Sequence, residues 1–267
     1  MPSNLQRDAS TMLSTGLAAS FDRRRVLGGM ALGLGGAVLA ACGGRAGAQA
    51  GGGTCPPTPT ETRGPFPADG SNGRPRPLNV LDMEGVVRRD IRPSFAGMEG
   101  RAEGVALELE LTLAGGDCAP LAGRAIYLWQ NDAAGAYSLY NLPGANYLRG
   151  MQQADAAGRI RFTGIVPGCY GGRYPHCHFE VFESAEAAMR GSAPLLVSQL
   201  AFPAAECRAI YRDDARYGDS LRNLDRLPLE RDFVFGDADA AGQARQTIAM
   251  SGDAGSGYRG TATVALA

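Results

Sequence analysis

Val105–Leu113 reads VALELELTL, with Leu107, Leu109, Leu111 and Leu113 alternating against Glu108, Glu110 and Thr112. Successive side chains of an extended strand point to opposite faces, so the leucines share one face and the polar groups the other. That pattern is a β-strand with one side on a core and the other in water.

Outward from this strand, shorter apolar runs recur at Arg124–Gln130 (RAIYLWQ), Arg159–Ile165 (RIRFTGI), His176–Glu183, Leu195–Phe202 (LLVSQLAF), Asp232–Phe235 and Tyr258–Leu266. Turn clusters such as NDAAG, ADAAG and VPG separate them. Many short strands with little helix predict an all-β antiparallel sandwich with long loops. Helix is expected only in short pieces, at SAEAAMR and within Ala204–Asp214. The 38 glycines and 16 prolines agree with a turn-rich chain.

The charge balance, 26 basic against 27 acidic residues with no long block of one sign, carries no electrostatic footprint for nucleic acid. At 267 residues, one domain plus extra segments is the simplest organisation. Residues 1–41 read as an export signal. Arg23, Arg24 and Arg25 precede an apolar run, Val26–Ala41, too short and glycine-rich for a comfortable membrane span. The arginines followed by Val26 and Leu27 resemble a twin-arginine signal. Leu39–Cys42 (LAAC) resembles a lipobox, in which Cys42 would carry lipid and begin the mature chain; a plain membrane anchor is the bland alternative. Residues 42–54 are a flexible tether, and the folded domain is expected over 55–267. Five other cysteines remain, at 55, 118, 169, 177 and 207, so in an oxidising setting at least one lacks an intrachain partner. None has CxxC spacing, and a Cys55–Cys118 bridge is preferred because it would tie the proline-rich CPPTPTETRGPFPADG segment to the body. That segment cannot be a central strand or helix and should wrap the surface.

The chain has only two histidines, His176 and His178, both within PGCYGGRYPHCHFEVFE. On a strand they project together while Cys177 turns away, which is how a β-scaffold offers two imidazoles to one metal. Tyr170 and Arg173 crowd the same strand entrance. Phenolate is a hard anionic ligand, and with imidazole it favours Fe(III) over softer ions. A second phenol is then expected, and LWQNDAAGAYSLYN offers Tyr137, with Tyr140 a close competitor. A zinc hydrolase fits less well, because HExxH is absent and zinc rarely takes two phenolates.

Three blocks, WQNDAAGAY (Trp129–Tyr137), YLRGMQQADAAGRIRFTGIVPGCY (Tyr147–Tyr170) and RYPHCHF (Arg173–Phe179), resemble in order and spacing the motifs of the intradiol ring-cleavage dioxygenases. SQLAFP (Ser198–Pro203) and TRGPFP (Thr62–Pro67) are similar to further family segments. The resemblance implies a non-haem Fe(III) between strand ends and loops, held by Tyr137, Tyr170, His176 and His178, with Tyr137 and His176 equatorial. It implies that Tyr170 and Arg173 act in catalysis, the arginine stabilising charge that builds on the substrate ring, with Gln199 packed beside it. The substrates it implies are a catechol-type aromatic and O2, and the product a cis,cis-muconate. Trp129 is expected in the core, and Tyr140, Tyr147 and Tyr174 in structural or pocket-lining places. Arg63 and Phe66 stand where many family members carry an acid and a tyrosine, near the pocket mouth, which leaves the choice of catechol open. The alternative from another class is a non-enzymatic sandwich module, since fold alone does not set function.

Overall fold

The structure is a computed structural model that describes residues 53–72 and 78–267. The export signal of residues 1–41, the lipobox cysteine and most of the tether fall outside the described residues.

Among the described residues, eight strands form two four-stranded sheets. They are β1 (Ala106–Ala114), β2 (Ala125–Trp129), β3 (Arg149–Gln153), β4 (Arg159–Ile165), β5 (His176–Phe182), β6 (Leu196–Ala201), β7 (Ala249–Asp253) and β8 (Gly257–Ala265). One sheet runs in the order β4-β1-β8-β7 and the other β3-β2-β5-β6. Every pairing is antiparallel except β1 with β8, which run parallel with Leu107 opposite Tyr258. The predicted alternation of β1 holds: Leu107, Leu109, Leu111 and Leu113 are buried against Ile126, Leu128, Cys177, Phe179 and Val181 of the other sheet. The opposite face of β1 carries charge, with Glu108 and Glu110 bonded to Arg89 and Arg161.

The second sheet is covered on both sides. Ala125, Tyr127 and Trp129 of β2 face a smaller cluster with Ala68, Val80, Val86 and Tyr137, outside the sandwich. All of β2 and β5 is therefore buried, which is why neither alternates in sequence. By strand parity His176, His178 and Glu180 of β5 share this outer face, and Cys177 points into the sandwich core as expected.

The proline-rich segment makes the cover. It is pinned to β8 and β6 in turn: Thr58 N donates to Ala265 O at 3.0 Å, Glu61 N to Val197 O at 2.8 Å, and Gln199 Nε2 to Thr62 O at 2.8 Å. The Cys55–Cys118 disulfide is present, and Cys169, Cys177 and Cys207 are free and buried.

Three expectations need correction. Asp232–Phe235 is not a strand: the Asp232 carboxylate accepts from Val234 N at 2.9 Å and Phe235 N at 3.3 Å, closing a turn that no ladder could share. Two strands were not legible. RGMQQ of β3 holds one glycine and three polar residues and is placed by its register with β2, whereas β7 is a largely exposed edge strand with no apolar pattern. Helix extends beyond α1 (Ala185–Met189) and α2 (Ala204–Asp213) to α3 (Ser220–Arg226) and α4 (Ala240–Arg245), each too short to show periodicity. No helix among the described residues is long and apolar enough to cross a membrane.

Candidate metal centre

Two loops and one strand meet on the outer face of the second sheet. The NDAAG turn after β2 closes when Asp132 Oδ1 accepts from Ala134 N at 3.0 Å and Ala136 N at 2.9 Å, which directs Tyr137 back over the sheet. The PGCY turn after β4 lies directly on it. Gly168 N donates to Asp132 O at 3.0 Å, and a Cβ on Gly168 would stand 2.4 Å from Ala133 O, so only glycine permits this approach. Gly135, at φ +86°, sits under the Tyr170 Cβ in the same contact. The two turns together bring Tyr137 and Tyr170 to a ring separation of 5.9 Å.

Four donor atoms converge there. His176 Nε2 lies 3.0 Å from His178 Nε2; the Tyr137 hydroxyl is 3.4 Å from the first and 3.2 Å from the second; the Tyr170 hydroxyl is 3.4 Å from His176 Nε2. Ligands bound at about 2 Å to one ion stand about 3 Å from each other. His176 Nδ1 is 2.6 Å from the Tyr174 carbonyl, which can only accept, so Nδ1 carries the proton and the Nε2 lone pair faces the cluster. Trp129 is fully buried and stacks on His178 with centroids 5.0 Å apart and planes 5° from parallel, fixing that ring as a core residue would. His178 Nδ1 is buried without a partner.

The electrostatics suit a cation. Burial, and then the Arg173 charge, lower the His176 pKa to about 3; burial, His176 and Arg173 lower that of His178 well below the usual imidazole value. Both rings are thus neutral and free to ligate. Burial raises the Tyr137 phenol well above its ordinary value, with Tyr170 adding to it, and burial also raises Tyr170. Such phenols lose their protons to a highly charged ion and not to water. Among the described residues no three His, Cys, Asp or Glu side chains gather, so the donor set is two imidazoles and two phenols, a set that fits a hard trivalent metal better than zinc. Tyr140, the competitor for the second phenol position, lies elsewhere: its hydroxyl donates to Asn72 Oδ1 at 3.1 Å and accepts from Ala68 N at 3.0 Å.

Arg173 stands beside the cluster, buried, with Nη1 3.2 Å from His176 Nε2. Its Nη2 donates to Gln199 Oε1 at 2.7 Å, so both of these sequence-selected residues come to the site. The structure adds two that sequence reasoning missed. Asp232 holds Arg173 Nε at 3.0 Å and also accepts from Tyr174 N at 2.7 Å. Burial alone would raise its carboxyl; the guanidinium and backbone donors outweigh burial and keep it below the usual carboxylate value. Arg149 is fully buried and donates to the Phe66 and Pro67 carbonyls at 3.0 and 2.9 Å and to Ser138 Oγ at 3.0 Å, joining the Thr62–Pro67 segment to the Tyr137 loop. A lone Asp leaves no local signature in sequence, whereas Arg149 stands within the quoted Tyr147–Tyr170 block, where nothing local shows which groups it binds.

Thr62–Pro67 roofs the site. The Phe66 ring lies 4.8 Å from Tyr137 and 5.0 Å from Tyr140, and Arg63 anchors the segment by ion pairing with Glu180. Of the four donor residues only Tyr170 is partly exposed, so the way in is on its side. Tyr147 and Tyr174 play structural parts, the first donating to Asp132 Oδ2 at 3.0 Å and the second lying edge-on to Phe235.

Residues 93–207 match the family model described as Dioxygenase. No curated protein matches the chain. Among solved structures the chain is similar to an intradiol ring-cleavage dioxygenase from Tetranychus urticae, at 21% identity and TM-score 0.59, over 79% of this chain and 94% of that one. A second dioxygenase structure gives the same identity and coverage with TM-score 0.60. The dioxygenase domain of a dioxygenase and carbohydrate-binding protein fusion from Streptomyces sp. SirexAA-E is 25% identical over 79% of this chain and 97% of that one, with TM-score 0.48. At 21% identity the first two likenesses establish a shared fold.

Proposed function

We propose, for a chain whose residues 93–207 match the Dioxygenase family model, that it cleaves a catechol-type ring between its two hydroxyl-bearing carbons, with Fe(III) held by Tyr137, Tyr170, His176 and His178. The observation that carries this reading is the convergence on one sheet face of two tyrosine hydroxyls and two histidine Nε2 atoms, with the Tyr137 hydroxyl 3.2–3.4 Å from both histidines, the Tyr170 hydroxyl 3.4 Å from His176 and the two Nε2 atoms 3.0 Å apart. Bound there, ferric iron supplies the electron-accepting centre that makes a catecholate reactive toward O2. Both oxygen atoms enter the product, so a catechol and one O2 give a cis,cis-muconate-type dicarboxylic acid.

The chain's own residues have separable tasks. Tyr170, the donor at the entrance, is placed to accept a substrate proton as the catechol arrives. Arg173 offers a cation already oriented by Asp232 and Gln199 toward charge that develops on the ring, in a site that excludes water. Phe66 and Trp129 keep water from Tyr137 and His178. A non-enzymatic module would gain nothing from gathering two phenols and two imidazoles at one point.

The test is oxygen uptake by the purified, iron-loaded chain across catechol, protocatechuate, hydroxyquinol and aryl catechols, with ring-opened acid formed in equal amount. Uptake with none of them overturns the activity. A colourless protein that is fully metal-loaded overturns ferric iron, since tyrosinate bound to Fe(III) absorbs visible light. The protein is further proposed to be exported and held at the membrane through lipid on Cys42, a reading that rests on RRRVLGG and LAAC and is supported by the Cys55–Cys118 disulfide, which persists in oxidising compartments. Fractionation that finds the mature protein in the cytosol overturns it.

A further inference from the structure

Phe233 is 71% exposed, more than any other large apolar side chain among the described residues. Its position is nonetheless set by the turn that carries it. Asp232 before it is buried and holds Arg173, while Val234 and Phe235 after it are buried and bonded to the Asp232 carboxylate. Gly236 N donates to Asp232 O at 2.8 Å and closes the loop behind. With anchors on both sides, the turn holds the ring at the surface.

What the exposed ring touches is Arg173, whose Cζ lies 4.8 Å from the Phe233 centroid. Two hydrogen-bonding groups of that guanidinium are committed, Nε to Asp232 and Nη2 to Gln199, while Nη1 faces the donor cluster, which leaves its faces for packing. Phe233 covers one face and turns the remainder of its own ring to solvent. The result is an ordered aromatic wall standing outward from the cation that borders the donor cluster, and aromatic faces pair with other aromatic rings in offset or edge contacts.

We infer that Phe233 is a specificity-determining residue, the docking wall for an aryl substituent on the catechol, so that biaryl catechols are preferred over catechol itself. This rests on the proposed ring-cleaving activity for its consequence in turnover, but not for binding. The experiment measures kcat/KM for 4-phenylcatechol and for catechol with the iron-loaded full chain, and the affinity of both by calorimetry without oxygen, in wild type, Phe233→Ala and Phe233→Trp. In Phe233→Ala the preference for 4-phenylcatechol over catechol falls about tenfold, mostly through KM and affinity, and Phe233→Trp restores it. An equal loss for both ligands overturns the inference, because Phe233 would then act only by bracing Arg173, and so does no loss for either. If 4-phenylcatechol binds with the expected Phe233 dependence and neither compound consumes oxygen, the inference stands and the ring-cleaving activity fails. If neither compound binds wild type, both fail.

Discussion

Arg173 and Asp232, 59 residues apart in sequence, form a buried ion pair with Nε 3.0 Å from Oδ2, and this pair aims a cation at the donor cluster. Asp232→Asn keeps one acceptor oxygen, which serves either the Tyr174 N donor of Oδ2 or the Val234 N donor of Oδ1, and removes the charge opposite the guanidinium. The expected outcome is a fall in kcat of about 10–100-fold with KM and visible absorption little changed, as suits a group that acts through transition-state charge. Steady-state kinetics and the absorption spectrum check it; loss of iron together with kcat would mark Asp232 as merely structural. Asp232→Ala strands the buried arginine and lowers stability by about 3–5 kcal/mol.

Tyr170→Phe and Tyr140→Phe separate donor from scaffold. Tyr170 belongs to the convergent set, so its loss weakens and shifts the visible band and slows turnover by at least about 100-fold. Among the described residues the Tyr140 hydroxyl bonds to Asn72 and Ala68 and to none of the donor set, so its loss leaves the colour intact and costs about 1 kcal/mol in denaturant unfolding. Equal spectra for the two variants would show that the second phenol was misassigned.

Chelation of the metal should bleach the protein and lower its thermal stability. An ion that binds only the folded state at about 100 times its Kd contributes about 2.7 kcal/mol, lost on removal and regained on adding ferric ion. Thermal unfolding of loaded, stripped and reloaded samples reads this directly.

Glu180 gives stability a pH dependence. Burial, and then neighbouring Asp69, raise its carboxyl to about 7 against 4.5 unfolded, with Arg63 only partly offsetting them. A folded-state pKa above the unfolded one means the native state holds the proton more tightly. The stability this contributes is complete below pH 4.5 and lost as pH rises to about 7, at most about 3 kcal/mol over that window. Glu180→Gln should unfold with a flatter pH profile between those values; an unchanged slope in chemical denaturation counts against the assignment.

The Cys55–Cys118 bridge closes a separation of 63 residues and fastens the segment that leads into the roof of the site. Cys118→Ser should lower stability by about 2–4 kcal/mol, and the roof, being tied to that anchor, should become more open to proteolysis between residues 56 and 67.

Particular residues show where sequence sufficed. The alternation of Leu107 to Leu113 determined a half-buried strand because one face of β1 meets the core and the other meets water. The i, i+2 spacing of His176 and His178 determined that they share a face, since the strand period is two whatever surrounds it. Tyr170 and Arg173 could be set beside the histidines from sequence because the turn that carries them leads directly into the same strand. Only the tertiary structure decided which phenol, Tyr137 or Tyr140, reaches the histidines, because that depends on how the NDAAG turn packs on Gly168. It also decided that the histidines lie on the sheet face outside the sandwich, since β2 and β5 are buried on both sides and lose the alternation that would reveal which side is which. Asp232, read from sequence as part of a strand, serves instead as the counter-charge of Arg173. Its pairing with Arg173, 59 residues away, and that of Arg149 with the Phe66 carbonyl, 83 residues away, are set by the tertiary fold, and such long-range bonds have no period for a sequence to display.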